Sequence, residues 1–354
     1  AADSEVDAIL GTTSYEEVAT VLEQVLMGSS GIHLSCFRDL SQLPQVEARR
    51  VVTTGGYYAF LKIAEGCDKH CTYCIIPKIR GNYRSVPLER LIKEAQELAE
   101  QGVKELILVA QETTVYGMDL YGRKSLSKLL RELCKISGIR WIRILYCYPE
   151  EIDEELIQTI KEEPKICHYL DLPIQHASDG VLKRMGRRTS KAQLVEIIGR
   201  LRQEIPDITL RTTLITGFPG ETKEQHEELL EFVDEMEFER LGVFTYSQEE
   251  DTPAAGFEDQ VEEEVKEDRQ AEIMELQQEI VFEQAESMIG REVLVMIEGK
   301  VADENAYVGR TYRDAPNVDG LIFVNTEEEL MSGDFARVRV TGAAEYDLIG
   351  ELIS

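Results

Sequence analysis

The chain has 354 residues, of which 43% are hydrophobic, so it is long enough for one large folded domain and a smaller one. Its 38 Lys and Arg stand against 67 Asp and Glu, and a net charge of −29 argues against broad nucleic-acid binding and favours basic protein partners or simple solubility. No apolar run reaches the roughly 18 residues of a membrane helix, and no signal peptide is recognisable, so a cytoplasmic protein without a membrane partner is expected.

The N-terminal region, residues 1–54, starts without Met and runs directly into the helix-like stretch "SYEEVATVLEQVL". We interpret it as the remnant of an N-terminal domain followed by a linker. Its one cysteine is Cys36.

Six strand-like runs follow, and they alternate with amphipathic helical stretches. One helix is predicted over residues 87–102, and two more begin at capping boxes, Ser190 with Gln193 and Thr222 with Gln225. The strand-like runs are residues 57–66, 104–112, 141–149, 169–175, 209–217 and 240–248. Regular alternation predicts an α/β fold with a parallel sheet, and the even spacing favours a partial (β/α)6 barrel. Functional groups of such barrels lie on the loops after the strands.

Three cysteines follow the first strand-like run, in the stretch "EGCDKHCTYCIIPKIRG". Cys67, Cys71 and Cys74 have the spacing C-x3-C-x2-C, which offers three soft thiolates to an iron–sulfur cluster or to zinc. A closed zinc site needs a fourth ligand; His70 is a candidate, but no second ligand pair follows at finger-like spacing. A [4Fe–4S] cluster on three thiolates keeps one iron open to a small molecule, so a cluster is the favoured prediction.

The other five strand-like runs are also followed by distinctive motifs: "QETTVYG", "CYPEE", "QHASDG", "GFPGET" and "SQEEDTPA". The Gly-rich "GFPGET" lacks the Gly-Lys-Ser/Thr ending of a phosphate-binding P-loop, so we interpret it as a tight turn into the helix that Thr222 caps. After this region, residues 256–288 are predicted to be an acidic helical connector that lies in solvent. Residues 289–354 contain short alternating runs between Gly and Asn turns, which predict a small all-β barrel.

These motifs resemble a known family. Cys67, Cys71 and Cys74, with Tyr73 before the last, are similar to the radical S-adenosylmethionine superfamily. The stretches "LPIQHASDGVLKRMGRR", "TTLITGFPGET" and "FTYSQEEDTPA" resemble its methylthiotransferases, over roughly residues 55–354. The resemblance implies a radical barrel over residues 55–255 and a TRAM-like β-barrel for substrate binding over residues 289–354.

The resemblance also implies how the cofactors act. S-adenosylmethionine chelates the open iron and, after one-electron reduction by an electron donor, releases a 5′-deoxyadenosyl radical that abstracts hydrogen from the substrate. Five residues are predicted to bind this cofactor: Tyr73, Gln111, Gln175, Arg211 and Gly217. Arg211 is expected to pair with the cofactor carboxylate, the two glutamines to bond its ribose or amino group, and Gly217 to allow close approach. The alternatives are that the glutamines tie loops together and that Arg211 is a structural ion-pair partner. His176 is a candidate to face the substrate, and the alternative is a satisfied loop histidine.

Methylthiotransferases modify either an adenosine of transfer RNA or an aspartate of the twelfth small-subunit ribosomal protein. Residues 290–354 carry six Lys or Arg and thirteen Asp or Glu, a net charge of −7, which suits a basic ribosomal protein better than RNA. The cysteine stretch is likewise closer to the ribosomal-protein aspartate methylthiotransferase branch. Methylthiolation of transfer RNA and a non-catalytic, metal-stabilised binding module remain as alternatives.

One departure from the family concerns a second [4Fe–4S] cluster, which full-length members hold on three further cysteines of an N-terminal domain. Cys36 alone cannot hold it. We therefore expect this chain to be truncated, with the second cluster present only in the full-length protein.

Overall fold

The structure is a computed structural model that describes residues 6–28, 34–41, 43 and 50–353. Within the N-terminal region, the short strands β1 (Ala8–Leu10) and β2 (Leu34–Cys36) pair in parallel, and helix α1 (Val18–Met27) lies between them in sequence. Within the predicted N-terminal domain and linker, residues 1–5, 29–33, 42 and 44–49 lie outside the described residues.

The main sheet has six strands, and all neighbouring pairs are parallel. In chain order its strands are β3 (Tyr58–Lys62), β6 (Glu105–Val109), β7 (Trp141–Ile144), β8 (Ile166–Asp171), β9 (Thr209–Thr216) and β10 (Arg240–Thr245). Their order across the sheet, β10-β9-β8-β7-β6-β3, leaves β3 and β10 unpaired with each other. The predicted partial (β/α)6 barrel is therefore confirmed. A small antiparallel ribbon of β4 (Ala64–Glu65) and β5 (Arg84–Ser85) stands beside it.

Helices connect and cover these strands. They are α2 (Ile76–Arg80), α3 (Leu88–Glu100), α4 (Met118–Tyr121), α5 (Leu126–Cys134), α6 (Glu154–Glu162), α7 (Asp179–Arg184), α8 (Lys191–Glu204), α9 (Lys223–Met236) and α10 (Glu263–Ser287). Both predicted capping boxes are present, at the starts of α8 and α9. The strands are shorter than predicted, because their last residues turn into the loops that carry the motifs; the run at 169–175, for example, ends as a strand at Asp171, two residues before Pro173.

The two faces of the sheet differ in burial. In β9, Leu210 and Leu214 are fully buried in the core formed with the helices, whereas Arg211, Thr213 and Ile215 are only half-buried. A strand turns successive side chains to opposite faces, so one face packs against the helices and the other lines the barrel interior. Burial of each such Leu side chain contributes about 2 kcal/mol to the stability of the packing between sheet and helices.

The composition of α10 predicts a segment that lies in solvent, and this prediction is wrong. The helix packs against the edge strand β10 and against α9. Ile273 and Ile280 are buried, and the amide of Gln277 between them donates to the carbonyl oxygen of Phe238 at 2.7 Å. The spacing of these three residues places them on one helix face, and the charged residues cover the other. This narrow buried stripe, which the overall composition of α10 does not reveal, covers the edge strand β10 of the sheet.

The C-terminal domain is a closed five-stranded barrel with the strand order β11-β12-β13-β15-β14. Its strands are β11 (Glu292–Lys300), β12 (Ala306–Arg310), β13 (Ile322–Asn325), β14 (Phe335–Ala344) and β15 (Asp347–Leu352). The small all-β barrel predicted from the alternating runs is thus confirmed. Closure removes the unpaired edges of a small sheet.

The connection between β12 and β13, residues 311–320, lies against the end of the radical barrel where its strands begin; we call it the floor loop. Glu105, the first residue of β6, accepts hydrogen bonds from Arg143 at 2.8 Å and from Arg310 at 2.7 Å. The side chains of all three residues are fully buried. Arg143 also donates to the carbonyl oxygen of Tyr312 at 2.7 Å. Burial opposes ionisation of Glu105, but the two guanidinium groups outweigh it and lower the pKa of the carboxyl.

Two aspartates of the floor loop extend this network. Asp314 pairs with Arg240 at the start of β10. Asp319 accepts a hydrogen bond from the Tyr169 hydroxyl at 2.7 Å and lies 3.5 Å from the Arg211 guanidinium. The C-terminal barrel therefore closes one end of the radical barrel and leaves the opposite end, where the strands finish, for the site.

Candidate active site

The cysteine loop begins at a position that only glycine can occupy. Gly66 has φ of +80°, and a Cβ atom there would lie 2.2 Å from the carbonyl oxygen of Asn82. The next residue, Cys67, donates its backbone N–H to the carbonyl oxygen of Gly81 at 3.2 Å. The amide oxygen of Gln111, after β6, accepts the Gly66 N–H at 2.8 Å. These contacts set the direction in which the chain enters the loop.

The middle of the loop is attached to two other motifs. Thr72 donates its N–H to the carbonyl oxygen of Met185 at 2.9 Å and its hydroxyl to that of Arg184 at 2.8 Å. The carbonyl oxygen of Thr72 accepts from the N–H of Ala254 at 2.9 Å. Segments from the "QHASDG" and "DTPA" regions, far apart in sequence, thus meet at the cysteine loop, as the positions of the motifs after the strands predict.

The three thiols lie close to the surface but are largely shielded. Cys67 and Cys71 are buried, and Cys74 is half-buried. Cys71 and Cys74 line an open groove of about 300 Å³ together with Asp251. Burial is the main cause that raises the pKa of Cys67 to about 11, so this thiol stays protonated unless a metal displaces its proton.

The donor set fits an iron–sulfur cluster better than a single ion. Across the described ranges, no group of three or more His, Cys, Asp or Glu side chains is arranged around one metal position. A [4Fe–4S] cluster binds its thiolates through different irons, so its ligands need not converge on one point. Three thiols on one short, well-anchored loop satisfy that requirement.

Sequence reasoning missed an acidic group beside the loop. Glu112, after β6, is buried; its Oε1 accepts the N–H of Thr114 at 2.9 Å, and its Oε2 has no hydrogen-bond partner. Lys69, within the cysteine loop, lies 3.8 Å from this Oε2 and also pairs with Glu151. Burial is the main cause that raises the pKa of Glu112 to about 7. Its position in "QETTVYG", next to the predicted Gln111, is the signal that could have identified it.

The two predicted glutamines have different settings. The amide oxygen of Gln111 accepts the hydrogen bond from Gly66, as the alternative that this glutamine ties loops together predicts. Among the described residues, its amide nitrogen has no hydrogen-bond partner. Gln175 has a positive φ of 73°, and its backbone extends the sheet: its N–H donates to Thr213 at 2.9 Å and its carbonyl oxygen accepts from Ile215 at 2.8 Å. Its half-buried side chain remains a predicted cofactor contact.

The structure gives Arg211 and Gly217 partners within the chain. Arg211 pairs with Asp171 at 2.9 Å, so a cofactor carboxylate would have to share its guanidinium with this aspartate. Gly217 has φ of +68°, and a Cβ atom there would lie 2.2 Å from Cγ of Lys266 in α10. A lysine therefore makes a close approach that requires this glycine, and contact of Gly217 with a cofactor remains a prediction.

His176 has partners within the chain, as the alternative of a satisfied loop histidine predicts. Its side chain is fully buried; Nδ1 accepts the N–H of Ser178 at 2.9 Å, and Nε2 lies 3.7 Å from Glu221. Glu221 also binds Arg269 of α10 at 3.0 Å. This buried group joins two loops to the last helix. Tyr73 packs edge-on against Phe218, with ring centroids 6.5 Å apart, and its contact with a cofactor remains a prediction.

The interior of the barrel is open near the cysteine loop. Several side chains on the inner side of the sheet are only partly buried, among them Lys62, Val109, Thr213 and Ile215. Phe244, near the end of β10, is 61% exposed. A partly exposed lining of apolar side chains with a few polar groups, here Lys62 and Thr213, is typical of a ligand-binding surface. No helix among the described residues is long and apolar enough to cross a membrane.

Comparisons with known proteins agree with this division of the chain. Residues 61–233 match the Radical SAM superfamily, and residues 289–353 match the TRAM domain. A solved structure of methylornithine synthase is similar with a TM-score of 0.45 and 18% identity, over 62% of this chain and 63% of that one.

Several relatives are similar along nearly the whole chain. Ribosomal protein uS12 methylthiotransferase RimO of Lachnoclostridium phytofermentans is 66% identical over 346 residues, which cover 98% of this chain and 78% of that protein. The protein of the same name from Clostridium botulinum is 49% identical over 346 residues, with 98% and 77% covered. That from Clostridioides difficile is 48% identical over 350 residues, with 99% and 78% covered.

Proposed function

Because the chain belongs to the radical S-adenosylmethionine family of ribosomal protein uS12 methylthiotransferases, we propose that it methylthiolates the β-carbon of an aspartate in that ribosomal protein. The observation that carries the proposal is the position of the three-cysteine loop. It lies at the open end of a partial barrel whose other end is closed by the floor loop. The strands and the loops that contact Thr72 would shield chemistry at this position from water.

We propose that Cys67, Cys71 and Cys74 hold the [4Fe–4S] cluster. When bound, the cluster supplies the electron that cleaves S-adenosylmethionine and so provides the radical. The chain's own residues orient this chemistry: Gly66 and Thr72 anchor the loop, and Gln111 fixes its entry. The Oε2 of Glu112, which has an ion-pair contact with Lys69 but no hydrogen bond among the described residues, is available as an acceptor for a hydroxyl group of the cofactor.

The charge of the C-terminal barrel supports a basic protein substrate over transfer RNA. Of its six basic residues, Arg310 is fully buried against Glu105. Arg337 and Arg339 both bind the carboxylate of Glu292, at 3.0 and 3.1 Å. Three of the six basic residues therefore already have anionic partners in the chain, which weakens the barrel as a surface for the phosphate contacts that supply most non-specific affinity for RNA. An acidic surface complements a basic ribosomal protein.

Iron loading tests the metal site. Anaerobic reconstitution should give about four irons and four sulfides per chain, as expected for a [4Fe–4S] cluster. Cys71→Ala should lower both strongly, whereas Cys134→Ala, which changes a half-buried cysteine in α5, should leave them unchanged. One zinc per chain would refute the cluster.

Isotope transfer tests the substrate without requiring the sulfur step. The reconstituted chain is incubated with S-adenosylmethionine, a chemical reductant, and ribosomal protein uS12 that carries deuterium on the β-carbons of its aspartates. We expect deuterium in the 5′-deoxyadenosine formed. If deuterium is transferred only from a transfer RNA labelled on adenosine, the assignment of the substrate is wrong.

A further inference from the structure

A basic groove of about 500 Å³ lies along α5, outside the barrel. Its basic side chains are Arg123, Lys124, Lys128, Arg131 and Lys135. Three glutamates also line it, so the lining has five positive and three negative groups in a chain whose net charge is −29. This positive surface is not explained by the barrel fold or by the cofactor site.

Two of the cations are available to a partner. Arg131 and Lys135 are neutralised locally, by Glu155 at 3.1 Å and by Glu132 at 2.7 Å. In contrast, Arg123 and Lys128 are exposed, and within the described part of the chain no acidic side chain pairs with either. The groove thus presents free positive charge near the start of α5.

That end of the groove is connected to the cysteine loop. Lys124 donates to the carbonyl oxygen of Glu151 at 2.8 Å and pairs with its carboxylate at 2.9 Å. The same carboxylate binds Lys69, which lies between Cys67 and Cys71 in sequence. One carboxylate therefore separates the groove from the loop that holds the three thiols.

We propose that this groove docks an acidic one-electron carrier protein, and the proposal rests on the cluster assignment made above. In the transfer, one electron leaves the carrier, which is oxidised, and enters the cluster, which is reduced; no bond forms or breaks and no proton moves. Docking at the Arg123 end places the carrier beside the cysteine loop, on the outer side of the barrel. The open interior stays free for S-adenosylmethionine and substrate.

The charge pattern favours an acidic protein over RNA. The glutamates in the groove would lie against the phosphates of a nucleic acid, whereas a protein surface can meet them with its own basic side chains. The strongly acidic remainder of the chain repels an acidic partner, so the groove selects both the position and the orientation of docking. Such complementarity chiefly accelerates association, and salt weakens it.

Binding and electron delivery can be measured separately on the full chain. The probe is an acidic plant-type ferredoxin, oxidised for equilibrium binding and reduced for electron delivery. The double variant Arg123→Glu/Lys128→Glu reverses both free cations. The control is Lys223→Glu on α9, an exposed lysine that pairs with Glu227. Each variant is also assayed with dithionite, a small reductant that needs no docking.

We expect the double variant to weaken ferredoxin binding by about tenfold or more at low salt and to slow ferredoxin-driven cleavage of S-adenosylmethionine. Dithionite-driven cleavage and the control variant should match the wild type. Unchanged ferredoxin affinity in the double variant would overturn the proposal. If the double variant instead loses the ability to bind a short RNA while it still binds ferredoxin, the groove is an RNA site and the proposal is wrong. If the wild type binds ferredoxin through the groove but does not cleave S-adenosylmethionine with dithionite, the docking site stands and the proposed function fails.

Discussion

The buried carboxylate of Glu105 joins the two domains, and its removal should separate them. In Glu105→Gln the side chain keeps its shape but loses the charge that two buried guanidinium groups share. Arg310 retains the carboxylate of Glu298 at 2.6 Å, whereas Arg143 retains no anion but keeps the carbonyl oxygen of Tyr312 and the ring of Tyr169 among the described residues. Breaking a buried ion pair by removing one partner costs about 3 to 5 kcal/mol. Because one of the two arginines keeps an anion, we expect a cost of about 3 kcal/mol.

The single tryptophan of the chain reports directly on this interface. Trp141 is buried and packs edge-on against Phe335 of β14, with ring centroids 4.9 Å apart. Urea unfolding followed by tryptophan fluorescence therefore detects separation of the barrels, and far-UV circular dichroism follows both domains. In Glu105→Gln the fluorescence transition should move to lower urea and precede the dichroism transition.

The matched control is Glu227→Gln, which removes an exposed pair with Lys223 at 3.3 Å and should cost less than about 1 kcal/mol. The cost of Glu105→Gln should also depend on pH. The lowered pKa of Glu105 means that its carboxylate contributes stability above the ordinary carboxyl pKa, and that this contribution is lost as the pH falls through the folded-state value. A change below about 1 kcal/mol at pH 7, with coincident transitions, would refute the reasoning.

Two other substitutions test local features. Gly217→Ala should destabilise the protein by more than about 1 kcal/mol, because the added methyl group meets Lys266 and the backbone has a positive φ. Gly199→Ala, within α8 and with open space at the Cβ position, should be neutral or stabilising by up to about 1 kcal/mol; equal effects in urea unfolding would contradict this account. Glu112→Gln should remove a pH dependence: with the pKa raised to about 7, the contribution of wild-type Glu112 to stability is fully present below pH 4.5 and falls by on the order of 3 kcal/mol as the pH rises through 7. The free energy of unfolding of the iron-free protein, measured at pH 5 and pH 8, checks this prediction. If that free energy changes with pH equally in the wild type and in Glu112→Gln, burial of Glu112 is not the cause.

Much of the site could be predicted because its signals are local. The spacing of Cys67, Cys71 and Cys74 needs only eight residues of sequence, and the capping boxes at Ser190 and Thr222 need four each. The alternation of strands and helices is likewise a short-range pattern. The comparisons confirm the family, and the structure confirms the partial barrel and the β-barrel.

The partners of polar residues were not predictable in the same way. His176 follows a strand, as a substrate-facing residue would, yet it is fully buried beside Glu221. Gly217 is required by Lys266 of a helix whose composition predicts a solvated connector. In each case the deciding contact is made by a distant segment.

The sequence by itself determined the chemistry that this chain offers, three thiolates on one loop, and the repeated units that build its barrel. The tertiary structure alone decided how the two domains meet. Glu105 and Arg310 are 205 positions apart, and each is an ordinary charged residue in its own sequence context. Removal from water makes their pairing obligatory, because a buried charge without a partner costs several kcal/mol. Burial of this kind arises only when distant segments pack together.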